Sequence, residues 1–302
     1  MKIGIIISAL IVLLVTGVIL IVANPPADKP TSKTAPEVLA KQALPADLPR
    51  IVEAPAAGEG DARAIYGRLF KYYATNARQL EGRNPSESQL NALTRQVKEA
   101  AGEAYAGQGF FDDQFAFTPG AQATYGAALE MISGLVLNHA RESKNDAQIR
   151  EAAQAVWIMG NRAYEHGQAI YVRREGLRIM SDAISVLYQV DKGDAQQVTR
   201  LQAWLDAIGK VAANWDAKTQ MIRSVRQPIA DLLNIAQNDQ DPAFRAYAIS
   251  WLGVAKFNPG NRGNEKAIHR VIQASINDPD PAIAQAGKEA ESFTREQLRK
   301  LH

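Results

Sequence analysis

Residues Ile3 to Ala23 form an unbroken apolar run with no charge and only two polar side chains, Ser8 and Thr16. As a helix rising about 1.5 Å per residue it spans about 30 Å, the thickness of a bilayer's hydrocarbon core. The apolar stretch of a signal peptide is shorter, about 7–15 residues. Length therefore favours an uncleaved single-pass anchor over a cleaved leader, although Lys2 and the small Ala23 would suit either. The chain has no cysteine, which excludes a thiol-linked lipid and disulfides. A membrane, reached through residues 3–23, is the first partner expected.

Lys29, Lys33, Lys41 and Arg50 follow the run, while only Lys2 precedes it, and positive charge tends to stay inside. Long domains nevertheless translocate largely regardless of charge, so the body is expected on the extracytoplasmic side.

Composition shifts abruptly after the anchor (residues 1–23). Between residues 24 and 60, Pro25, Pro26, Pro30, Pro36, Pro45, Pro49 and Pro55 recur among alanines and charges. Proline removes a backbone donor and favours extended geometry, so 24–60 is expected to be a stalk. The remaining 240 or so residues suffice for one large domain or a repeat array. A net charge of +2 gives no global field for nucleic acid, which is not expected as a partner.

Beyond Gly60 the apolar period is helical throughout. Ile65, Leu69 and Tyr73 share one face, as do Leu90, Leu93, Val97 and Ala101. Asn84-Pro85 is expected to open the second of these helices. This helical pair and an aromatic loop make up residues 61–118. Four of the chain's eight phenylalanines, Phe110, Phe111, Phe115 and Phe117, fall in the loop around Asp112 and Asp113. Burial at one end of the helical body is the simplest use for them, and an aromatic platform for a partner or glycan is the alternative.

From residue 119 to 302 the turns share a pattern. Aspartates at 146, 194, 241 and 280, spaced 48, 47 and 39 residues apart, each precede an alanine directly or after a proline. Apolar residues follow one turn later, with a further alanine in three of the four copies: Ile149, Ala153 and Trp157; Phe244, Ala248 and Leu252; Ile283, Ala286 and Ala290; and, in a weaker copy without it, Val198, Leu201, Trp204 and Leu205. An aspartate there caps the free amides of a helix, and the spacing is that of two helices with their turns. If Trp251 belongs to the core, Trp251→Ala should cost about 3–5 kcal/mol.

The stretch Gln227-Pro228-Ile229, Leu232-Leu233, Asp241-Pro242, Phe244-Arg245, Ala248 and Leu252-Gly253 resembles a HEAT or HEAT-like repeat. The resemblance is closest over 227–257, weaker over 266–293 and loose over 120–164. Ala284 stands where the pattern has arginine, and the copy at Val198 is shifted by one residue. The resemblance implies an all-α protein whose body is an α-solenoid of about five helix pairs: 61–105, 119–164, 167–213, 216–257 and 264–298.

No catalytic set accompanies this pattern. The four histidines lack the helical zinc spacing, no strand exists to carry a nucleophile elbow, and Gly107-Gln108-Gly109 is too short for a phosphate loop. Asp112 and Asp113 could serve a glycosidase only with a distant third carboxylate. Arg173, Arg174 and Arg178, near Tyr164 and Tyr171, form the clearest basic group. Balance by Glu151, Glu165, Glu175 and Asp182 is the plainer reading, and an anionic or peptide ligand the sharper one. The sequence thus points to a non-enzymatic protein without cofactor or metal, a membrane-tethered scaffold or accessory subunit with a protein partner. Self-association is a further expectation, and a glycan-binding or glycan-cleaving module using 107–120 is the alternative.

Overall fold

The computed structural model describes residues 43–49, 51–52, 62–82, 85–103, 119–167, 169–223 and 229–300. The expected anchor at 3–23 lies outside these residues, as do Phe110, Phe111, Asp112, Asp113, Phe115 and Phe117. Among the described residues no helix is long and apolar enough to cross a membrane.

Every regular element among the described residues is helical. Ten α-helices are described: α1 Ala62–Leu80, α2 Glu87–Gly102, α3 Pro119–Glu142, α4 Asp146–His166, α5 Ile170–Asp191, α6 Ala195–Arg223, α7 Ile229–Asn238, α8 Pro242–Ala255, α9 Glu265–Ser275 and α10 Pro281–Lys300. Most expected apolar positions are buried, from Ile65, Leu69 and Tyr73 on α1 to Ile283, Ala286 and Ala290 on α10, whereas Val198 and Leu205 on α6 are half-buried.

Side-chain caps set four of the ten starts. Asn145 accepts from the Ala147 and Gln148 amides, Asp194 from Gln196 and Gln197, Asp241 from Ala243, and Asp280 from Ala282 and Ile283. At the first of these turns the cap is Asn145, one residue ahead of the expected Asp146, which is already inside the helix. Helix α2 opens after Ser86 instead of Asn84, because Ser86 is the extended residue whose carbonyl receives the first amides, those of Gln89 and Leu90. Helix α6 runs past the expected break at 213 to Arg223. No proline or glycine interrupts 210–223, and Val211, Trp215, Lys218 and Ile222 bury one continuous face.

Ring contacts and close crossings join the helices to one another. Trp157 of α4 meets Trp204 of α6 edge-on at 5.3 Å, and farther along both helices Tyr164 stacks on Trp215 at 5.8 Å. The two contacts advance in the same direction, so α4 and α6 run parallel. Trp215 then meets Phe244 of α8 at 5.7 Å, and a Cβ on Gly253 of α8 would lie 3.2 Å from Ala290 Cα of α10. The small residues let backbones approach where the aromatic line ends. Helices α4 and α5 cross even more tightly, since a Cβ on Gly176 would sit 2.6 Å from the Gly160 carbonyl oxygen. Arg162, buried on α4, donates to Tyr66 Oη and to the Ala100 and Glu103 carbonyls, closing the C-terminal end of α2.

Candidate functional site

The three expected arginines sit on α5, and each is engaged within the protein. Arg173 Nη1 lies 2.8 Å from Asp241 Oδ1, and its Nε donates to the Tyr164 carbonyl at 3.0 Å. Its guanidinium carbon is also 4.9 Å from the Trp215 ring centroid. Arg174 pairs with Asp216 at 2.7 Å, and Arg178 with Glu130 at 2.5 Å and Glu175 at 3.8 Å. Of the four acidic residues expected to balance them, Glu175 does so directly, while Asp241, Asp216 and Glu130 come from distant parts of the chain. Neither a phosphate nor an acidic peptide meets an unpaired guanidinium at Arg173.

The turn aspartates have a second use that sequence spacing did not reveal. Asp239 accepts the Asp241 amide, and Asp278 likewise accepts the Asp280 amide, so the Asp-x-Asp-Pro-Ala turn is built twice in the same way. Each turn then receives a cation from elsewhere: Lys218 pairs with Asp239, Arg173 with Asp241 and Arg245 with Asp278. Arg150 reaches Asp191 similarly at 2.6 Å. Arg150 and Arg245 lie near the starts of α4 and α8, and each reaches an aspartate just ahead of a later helix, Asp191 before α6 and Asp278 before α10.

A different surface is occupied by the chain itself. Residues 43–49 and 51–52, within the stretch expected to be a stalk, lie against the helices, with Leu44, Leu48, Ile51 and Val52 packed on the core and half-buried. The Leu44 amide donates to Tyr164 Oη at 3.0 Å, and Trp204 Nε1 donates to the Pro49 carbonyl at 2.7 Å. Between these anchors the Leu48 amide turns back toward the Pro45 carbonyl at 3.4 Å. The seat is therefore made by α4 and α6 and holds a short Leu-Pro-x-x-Leu-Pro turn by backbone atoms at both ends.

Both anchors are fixed by the body. Trp204 rests against Trp157, and Tyr164 is stacked on Trp215 beneath the Arg173 guanidinium. Burial pushes the Tyr164 phenol above its ordinary range, against smaller opposing effects of the Leu44 hydrogen bond and Arg173. The recurring Leu-Pro at 44–45 and 48–49 was the available sequence signal for this segment, hidden by the general abundance of proline around it.

Compared with protein-family models, with curated proteins and with solved structures, the chain finds no match.

Proposed function

We propose that this chain is a membrane-tethered, non-enzymatic helical-repeat protein that binds another protein, as a scaffold or as an accessory subunit of a membrane or envelope complex. The apolar run 3–23 supplies the tether, the proline-rich residues after it supply reach, and the body extends from the membrane on the extracytoplasmic side. The finer architecture in this reading is an α-solenoid of five HEAT-like helix pairs. Its support is the recurring capped turn, the parallel run of α4 and α6, and the ring contact that joins α6 to α8. Such stacks offer long surfaces suited to peptides and protein domains.

One observation carries the binding role: the body holds a non-helical segment through Tyr164 Oη and Trp204 Nε1, groups whose positions the body itself determines. The basic group on α5 does not favour an anionic ligand, because its arginines are committed to Asp241, Asp216 and Glu130.

In-cell cross-linking of the full-length chain, followed by mass spectrometry, tests the reading. Defined membrane or envelope proteins attached to residues 119–257 are the expected result. Capture of nothing but glycan fragments or of the chain itself would overturn it.

A further inference from the structure

We propose that the seat on α4 and α6 is a recognition site for a Leu-Pro-x-x-Leu-Pro turn of a partner protein, and that residues 44–52 are its resident competitor. The inference rests on the protein-binding reading above and names the chemistry of the partner.

Three features carry it. First, the seat reads backbone: one hydroxyl accepts an amide, and one indole N–H donates to a carbonyl 5 residues later in the chain, from Leu44 to Pro49. Any chain with the same turn presents the same two groups. Second, the anchors are preorganised by Trp157, Trp215 and Arg173. None of these belongs to the bound segment, so the seat persists when the segment leaves, and ordering the anchors adds little to the cost of binding. Third, the segment is lightly held. Leu44, Leu48, Ile51 and Val52 keep part of their surface in water, and the two hydrogen bonds are neutral ones. Exchange with an external peptide is therefore accessible.

The resident segment has one advantage, its covalent attachment. Residues 53–61 connect it to α1, and a short connection gives an effective concentration of order millimolar. A partner peptide of equal intrinsic affinity is consequently outcompeted until the resident turn is weakened. Proline within the ligand reduces the conformational freedom lost on binding, which favours this composition over a flexible apolar peptide.

The test uses the full-length chain and a fluorescent synthetic peptide of residues 43–52, with binding read by anisotropy. Replacing Leu44→Asp and Leu48→Asp together should displace the resident turn and raise peptide affinity at least about tenfold over the unaltered chain. Adding Trp204→Phe, which keeps a ring but removes the donor, should lower that affinity again by about tenfold. Equal peptide binding with and without the two aspartates, in chains of unchanged helical circular dichroism, overturns the proposal. So does a doubled mass of the unaltered chain that the two aspartates abolish with no gain in peptide binding, which would assign the seat to the segment of a second copy.

Should the double variant not fold, amide exchange over residues 44–49 decides the matter in the milder single variant Leu48→Ala, which leaves the Tyr164 and Trp204 anchors intact. Faster exchange there, with the helices unchanged, together with acquired peptide binding supports the seat, and unchanged exchange removes it. Cross-linking separates this proposal from the broader reading. Peptide binding with no captured protein keeps the seat and sinks the scaffold, whereas captured proteins that the peptide fails to displace do the reverse.

Discussion

Arg173 and Asp241, separated by 68 residues in the chain, form an ion pair at 2.8 Å with side-chain exposures of only 14% and 3%. The contact joins α5 to the capped start of α8, and Asp241 serves it while accepting the Ala243 amide. One carboxylate therefore holds a helix terminus and a contact between pairs together.

Removing that carboxylate should be costly. Asp241→Ala leaves a largely buried guanidinium without its partner and also deletes a helix cap. A loss of about 3–5 kcal/mol is expected from urea denaturation. Arg173→Met should cost less, because Asp241 then keeps the Ala243 amide and with it the helix cap that the other variant deletes as well. Equal losses from the two variants would contradict this asymmetry.

Phe244 and Trp251 separate a core residue from a peripheral one on the same helix. Phe244 is 1% exposed and contacts Trp215, with the Lys218 ammonium 4.1 Å from its ring centroid. Phe244→Ala should destabilise by about 3–5 kcal/mol. Trp251 is only half-buried against the core, so its truncation should cost clearly less than the figure expected for a core tryptophan. Thermal unfolding of both variants, measured side by side, checks the order.

The α4–α5 crossing admits no side chain. A Cβ at position 176 would lie 2.5 Å from the Tyr164 amide nitrogen as well as 2.6 Å from Gly160 O, and backbone cannot swing aside. Gly176→Ala should lower stability by about 1–3 kcal/mol or more, despite alanine's better helix propensity. Gly134, on α3 with nothing within 4 Å of an added Cβ, is the control. Gly134→Ala should be neutral or stabilising by up to about 1 kcal/mol, and chemical denaturation of the two variants should separate them by sign.

Much of this architecture was legible because local chemistry and packing agree. The capped turns at Asp194, Asp241 and Asp280 mark helix starts by a mechanism that needs no tertiary knowledge. The buried alanines at 153, 248 and 286 likewise follow from spacing alone. The partners of Arg150 and Arg245 did not follow, because Asp191 and Asp278 lie 41 and 33 residues away and only stacking brings them close. The seat for residues 43–52 was hidden for a different reason. Its two hydrogen bonds use backbone atoms of the segment, so no side-chain pattern encodes them, and Leu44 and Tyr164 are 120 residues apart. The long α6 shows the opposite failure: a repeat template imposed a break where the residues themselves carry none.

The carboxylates between α3 and α5 predict how stability responds to acid. Glu175 and Asp182 are both raised above their ordinary values, chiefly by burial. The Glu130 charge adds to this, while Arg178 opposes it at both, Arg174 at Glu175 and Arg141 at Asp182. A carboxyl that titrates higher in the folded chain binds more protons there than in the unfolded chain. Its ionisation therefore costs stability as pH rises through the folded value, and the cost disappears below the unfolded one. Glu175→Gln removes one such ionisation while leaving Arg178 paired to Glu130. The melting temperature at neutral pH should rise by about 1–3 °C, and the gain should vanish once the solution is acidic enough to protonate Glu175 in both states. A loss at neutral pH that shrinks on acidification would mean that the Arg178 contact, and not burial, dominates at this position.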